Sequence, residues 1–240
     1  MFSKMRGGTT YMIIEVIADS VNDARIAEEA GASRIELISG ALEGGITPSY
    51  GLIKAVCSLR IPVNVMIRPH SRSFCYTSEE LEIMINDIKV CRELGATGVV
   101  FGILTEQNEI DETALGQLIE AAEGLDITFH RAFDEVKDQI KALRILQTYP
   151  EVSRVLTSGG DEKAITATTR LQQLVKESEG SHLKIMAGSG LTVDNAAQFL
   201  AKVSVNEIHI GSGARFNASF SHSIDPEKIA AIIKIAGSVT

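Results

Sequence analysis

The chain has 240 residues, 45% of them hydrophobic and 22% charged, with a formal net charge of -8, the balance of an ordinary soluble globular protein. An acidic excess leaves nothing to neutralise phosphates, which excludes nucleic acid and an anionic membrane surface as partners, and no apolar run approaches the roughly 18 residues of a membrane span. Cys57, Cys75 and Cys91 form neither a CxxC pair nor a disulfide framework, so a reducing, cytoplasmic setting is expected.

Residues 1–10, "MFSKMRGGTT", carry no apolar segment and no periodicity, and read as a flexible N-terminal extension. From residue 11 onward a strand and then an amphipathic stretch alternate. The strand signals are "YMIIEVI" (11–17), "RIELIS" (34–39), "PVNVMIR" (62–68), "TGVVFGI" (97–103), "DITFHR" (126–131), "SRVLTSG" (153–159), "LKIMAGSG" (183–190) and "EIHIGSG" (207–213). The helical stretches between and after them are predicted at 20–30, 48–59, 78–94, 111–122, 137–149, 161–177, 192–201 and 225–236. Ser78 before two glutamates, Thr192 with Asp194, and Asp225-Pro226 mark helix starts.

Eight β-then-α units with no linker or change of composition predict an α/β fold: one domain over 11–240, a (β/α)8 TIM barrel. A doubly wound open sheet would usually hold fewer strands in this length. Strands of a parallel barrel are covered on both faces, and an unpaired charge there is costly. Polar residues within them are therefore informative. Glu15, Glu36, Arg68, His130, Arg131 and His209 all fall late in their strands, at the end where barrel enzymes build active sites. These six are the candidate catalytic set: acids and imidazoles for proton transfer, arginines as forks for a carboxylate or phosphate.

Glycine-rich turns follow strands six, seven and eight. Ser158 and Gly159, then Gly188, Ser189 and Gly190, then Gly211 and Ser212 with Arg215 behind them, form a candidate anion site. Lys184 falls early in its strand, which argues against Schiff-base chemistry. No serine occupies a nucleophile elbow, and "GSGLT" is too short for a dinucleotide fingerprint, so no nucleotide cofactor is expected.

"IELISGALEGGITPS", "IPVNVMIRPHSRSFCYTSEE", "GATGVVFGILTE", "TFHRAFDE" and "RVLTSGG" together resemble the CutC copper-homeostasis family, in order and over most of the chain from Ile13 to Arg215. The resemblance implies a (β/α)8 barrel with a part in copper homeostasis and copper as its bound ion. It carries family motif positions onto Glu15, Asp19, Arg34, Glu36, Arg68, Pro69, His130, Arg131, Phe133, Asp134, Thr157, Ser158, Gly159, His209 and Arg215. Where many relatives carry the cysteines proposed to bind copper, this chain has Ile17 and Ile38.

Cu(I) prefers thiolate and thioether, whereas imidazole suits Cu(II) or Zn(II). Cys57 and Cys91 fall at helical positions where cysteine behaves as a small hydrophobe. Cys75, in the loop after strand three, is the remaining thiol, and a metal cluster of Cys75 with His70, His130 and His209 is one expectation. Two functions follow: copper binding by resemblance, or an enzyme acting on a small phosphorylated or carboxylated metabolite at the barrel mouth. A homo-oligomer paired through outer helices is a further expectation.

Overall fold

A computed structural model describes residues 12–239, so the expected extension lies outside the described residues. Eight strands run in order: β1 (Ile13–Ala18), β2 (Arg34–Leu37), β3 (Val63–Met66), β4 (Gly98–Phe101), β5 (Asp126–Phe129), β6 (Val152–Thr157), β7 (Lys184–Gly188) and β8 (Glu207–Ile210). Every neighbouring pair is parallel, and β8 returns to β1 to close a barrel. The helices are α1 (Val21–Glu29), α2 (Tyr50–Val56), α3 (Ser78–Glu93), α4 (Glu112–Ala121), α5 (Gln139–Leu146), α6 (Thr168–Ser178), α7 (Val193–Leu200) and α8 (Pro226–Val239). The structure is the single-domain (β/α)8 TIM barrel expected from the pattern.

One helix cap and one helix start depart clearly from expectation. The cap of α3 is Thr77, not Ser78: its hydroxyl accepts from Glu80 N–H at 3.2 Å, and the Glu80 carboxylate accepts from Thr77 N–H at 2.9 Å. This reciprocal pair satisfies two end donors that a cap one residue later would leave free. Helix α6 begins at Thr168 rather than 161, because Gly159 and Gly160 take φ of 82° and 90° and turn the chain away from helical geometry.

Side chains alternate across each strand. Ile14, Val16, Ala18, Ile35, Leu37, Val63 and Val65 face outward into the main core with Leu115, Leu118, Phe199, Ile229 and Ile232. Burying such residues contributes roughly 1.5–3 kcal/mol each. The other face of the same strands points into the barrel, and there Ile38, Met66 and Val100 form a small separate apolar cluster with Ile17 and Ala41 against it. Register sets what meets inside. Glu15 lies beside Arg34 on β2 and His209 on β8, and Glu36 lies beside Asn64 on β3.

Candidate functional site

The interior charges form a continuous network across β1, β2, β5, β6 and β8. Arg34 donates to Glu15, and to Glu207 at 2.7 Å. Arg154 donates to the same Glu207 at 2.9 Å and to Thr128 at 2.9 Å, and pairs with Asp126. Of these, the sequence pointed to Glu15, as a late-strand acid, and to Arg34, through the resemblance. The others were visible as the period-two charges of "DIT", "SRV" and "EIHI", once the inward phase of each strand is known.

Above this network, Glu15 is fully buried and holds His209: Nδ1–H donates to Glu15 Oε1 at 2.8 Å. That bond turns His209 Nε2 toward Glu36, whose Oε2 is 3.7 Å away. Burial alone would push the Glu15 carboxyl up, but Arg34 and His209 outweigh it and hold it well below the usual range. Burial pushes Glu36 up to about 7, with the His209 cation opposing. For His209, burial is outweighed by the Glu36 and Glu15 carboxylates, so its proton is held more tightly than usual.

His130 is the opposite case. It is 3% exposed, and Ala132 N–H donates to its Nδ1 at 3.1 Å. The accepting lone pair fixes the ring's own proton on Nε2, which has no partner. Burial, with Arg68 and Arg131 nearby, depresses its pKa to about 3. His130 is therefore a neutral imidazole presenting one N–H. Gly102 makes room for it: a Cβ there would fall 2.5 Å from His130 Nδ1. Phe74 lies against the ring with centroids 4.8 Å apart, and the Arg68 guanidinium sits 4.6 Å over the Phe74 centroid. Phe74 was not anticipated; its one signal was an aromatic within the polar loop "HSRSFCYTS".

Arg68, 7% exposed, donates to the backbone carbonyls of Glu43, Gly45 and Ser71 and to no carboxylate. Its Nε has no partner. Arg68, Glu36, His130, Arg131 and His209 line one cavity of about 220 Å³. Five of the six sequence candidates thus share a chamber, with the sixth, Glu15, hydrogen-bonded to one of them. The wall is completed by Ile17, Ile38 and Met66 and by the β7 and β8 loops.

The anion-site candidates divide. Ser189, Gly190, Gly211 and Ser212 line the cavity. Ser189 takes φ of 78°, unusual for a residue with a side chain, and its hydroxyl donates to Glu162 O at 2.7 Å. Gly188 is there for packing, since a Cβ would meet Leu156 at 2.7 Å. Ser158 and Gly159 are turned elsewhere. Asp134 accepts from Ser158 N–H and hydroxyl, and Gly159 N–H donates to Thr157. Arg131 also serves this cluster, donating to Asp134 at 2.8 Å and to Ser158 at 3.1 Å. Arg215 is 1% exposed and committed to Asp23 at 2.9 Å and Asp19 at 3.1 Å. It fastens the β8 loop to β1 and α1, so the ion pairs that hold it leave it unavailable as an anion receptor.

The expected metal cluster does not assemble. His70 pairs with Glu80 at 2.9 Å, and the proton on His130 Nε2 occupies the position a metal would need. Cys75 is half-buried and is not among the residues lining the cavity. Burial pushes the Cys57 thiol up to about 11 and Cys91 to about 12, as for packing residues. Among the described residues, the group with converging ligand atoms is Glu15, Glu36 and His209, all within 4.8 Å of one another.

The model of the CutC family matches residues 12–214. The mouse protein named copper homeostasis protein cutC homolog is 40% identical over 243 residues, covering 95% of this chain and 89% of that protein. The human protein of the same name is 40% identical, covering 89% of this chain and 80% of its own. The crystal structure of CutC from Streptococcus agalactiae superposes with a TM-score of 0.78 at 35% identity, covering 83% of this chain and 98% of that one. Thiamine phosphate pyrophosphorylase from Pyrococcus furiosus, 18% identical with a TM-score of 0.62 over 96% of this chain and 98% of that one, shares the barrel fold.

Proposed function

Because the chain belongs to the CutC family, we propose that it acts in copper homeostasis, as its relatives are named, and that the ion enters the cavity at the barrel mouth. The observation that carries this reading is the convergence of Glu15, Glu36 and His209. Both Glu15 oxygens are already engaged, by Arg34 and by His209, so Glu15 orients the imidazole, as carboxylates behind metal-ligating histidines do. His209 Nε2 and the Glu36 carboxylate are the donors left for an ion.

That donor set selects an oxidation state. One imidazole and one carboxylate suit Cu(II) better than Cu(I), which prefers sulfur. The two positions to which the resemblance assigns copper thiols, Ile17 and Ile38, lie in the cavity wall as aliphatic side chains. Met66 adds a single thioether. With two donors from the chain, the ion is held weakly and exchangeably. Cytoplasmic residence is part of the proposal, since the three cysteines are unpaired. No helix among the described residues is long and apolar enough to cross a membrane.

Titration of metal-free protein with Cu(II), and anaerobically with Cu(I), each against a competing chelator, tests the reading. Cu(II) should bind, and His209→Ala and Glu36→Gln should each weaken it by about tenfold or more, in line with loss of one ligand. Cu(II) affinity unchanged in both variants, or tight Cu(I) binding lost in Cys75→Ser, would move the site elsewhere.

A further inference from the structure

The cavity also holds a cationic pole that copper does not explain. Arg68 is buried without a counter-carboxylate, although a buried guanidinium is ordinarily paired. Three of its five N–H groups go to backbone carbonyls: two from Nη1, one from Nη2. The Nε–H and one Nη2–H remain, two donors of the kind that a carboxylate engages in bidentate fashion. In the same cavity wall, the His130 Nε2–H is also buried and without a partner. Both groups can donate.

Leaving a buried donor unmade is costly, and such groups are rare enough in native proteins that each calls for a ligand, water or ion. An uncompensated cation with free N–H groups and a second free donor beside it specify an acceptor with negative charge. Within the same chamber, Glu36 Oε1 is buried and unpartnered as well. Its carboxylate lies beside His209, with Oε2 3.7 Å from Nε2, and the apolar side chains of Ile17, Ile38 and Met66 also line the cavity.

We propose that this cavity is a binding site for a small hydroxy- or oxo-carboxylate, its carboxylate on Arg68 and His130 and its oxygen function against Glu36. A carboxylate matches one guanidinium edge, whereas a phosphate would call on several cations, and the one other arginine in the wall, Arg131, is tied to Asp134. The volume, about 220 Å³, suits a molecule of a few carbons. The site needs no metal, so its failure and that of the copper reading are separable.

Calorimetric titration of the full chain, stripped of metal with a chelator, provides the test. The probes are pairs that differ by one hydroxyl, lactate with propionate and malate with succinate, together with glycerol 1-phosphate. The hydroxy-acids should bind and their unsubstituted partners should bind more weakly. Arg68→Lys, which keeps the charge but not the fork, should weaken the hydroxy-acid by about tenfold or more. Because Arg68 also ties three backbone carbonyls, His130→Asn is the independent check. It retains a side-chain acceptor for Ala132 N–H, removes the cavity-facing donor, and should weaken the same ligand. Absence of carboxylate binding in the wild type, binding indifferent to both substitutions, equal affinity within each pair, or preference for the phosphate ester would each overturn the assignment.

Discussion

Two layers of the barrel interior hold buried arginines and glutamates, and they are wired differently. In the lower one, Arg34 and Arg154 share Glu207 and reach Glu15 and Asp126 besides, so that each guanidinium meets two carboxylates. In the upper one, Arg68 meets none, and His130 Nε2 and Glu36 Oε1 have no partners. Burial does not distinguish them: Arg34 and Arg68 are each 7% exposed. Between the layers, the Asn64 amide is also left unpartnered. The lesson is that charge inside a barrel is not itself a sign of function. A saturated network consumes its charges in holding strands together, and only an unsaturated one has interactions left to offer a ligand.

The lower layer should be the most sensitive to substitution. Arg34→Met should strand the fully buried Glu15 with His209 alone and cost roughly 3–5 kcal/mol, the usual penalty for removing one partner of a buried pair. Denaturant unfolding measures it. Arg68→Met strands no carboxylate and should cost distinctly less. Equal losses would erase the distinction between the layers.

A second test uses acid. The His130 pKa is depressed to about 3 from an ordinary 6.5. The folded protein therefore keeps this ring neutral while the unfolded chain takes up a proton. Its contribution to stability is complete above pH 6.5 and drains as pH falls from there toward 3. His130→Asn has no such proton, so between pH 7.5 and 4.5 the wild type should lose about 2–3 kcal/mol more than the variant. Unfolding curves at the two pH values read the difference directly. Parallel losses would mean that the ring is hydrated and not buried.

The barrel was legible in the sequence because each strand and helix announces itself locally through period and flanking turns. The gathering of Glu36, Arg68, His130 and His209 was legible too, since lateness in a parallel strand maps onto one rim. What each side chain does there was not. Arg215 and Ser158 sit in glycine-rich turns that look like anion sites, and whether aspartates from β1, α1 or the β5 loop already claim them depends on contacts between distant segments. The tautomer of His130 likewise hangs on one backbone N–H two residues on. Phe74 was hidden because loop geometry decides which side chain of a polar run folds back over the mouth.

A third test reverses sign. Glu36 is raised to about 7, first by burial, so the folded state prefers it protonated. Its contribution is complete below its ordinary 4.5 and is lost as pH rises through 7, where a buried carboxyl must ionise. Glu36→Gln stays neutral and should be more stable than the wild type at pH 8, by roughly 1–3 kcal/mol. A gain in thermal or denaturant stability together with weaker Cu(II) binding would mark Glu36 as kept for its ligand and not for the fold. A loss of stability at every pH would place it with the structural network below.

The mildest change in stability should come with a large change in binding. Ile17 packs with Ile38 and Met66 in the cavity wall, on the inward face of β1 and just beyond β2, clear of the Arg34 and Arg154 pairs. Replacing both isoleucines by cysteine removes only a few methyl groups beside an open cavity, which should cost about 1 kcal/mol each, since the site is not sealed by close packing on all sides. The new wall would present two thiols and a thioether, the soft donors that Cu(I) selects. Anaerobic chelator competition should then show Cu(I) affinity rising by about a hundredfold or more over the wild type, equivalent to roughly 3 kcal/mol, with Cu(II) little altered. If the double variant folds normally and Cu(I) affinity does not move, the cavity lacks the depth or geometry to hold an ion at that wall, and the preference for Cu(II) would owe nothing to residues 17 and 38.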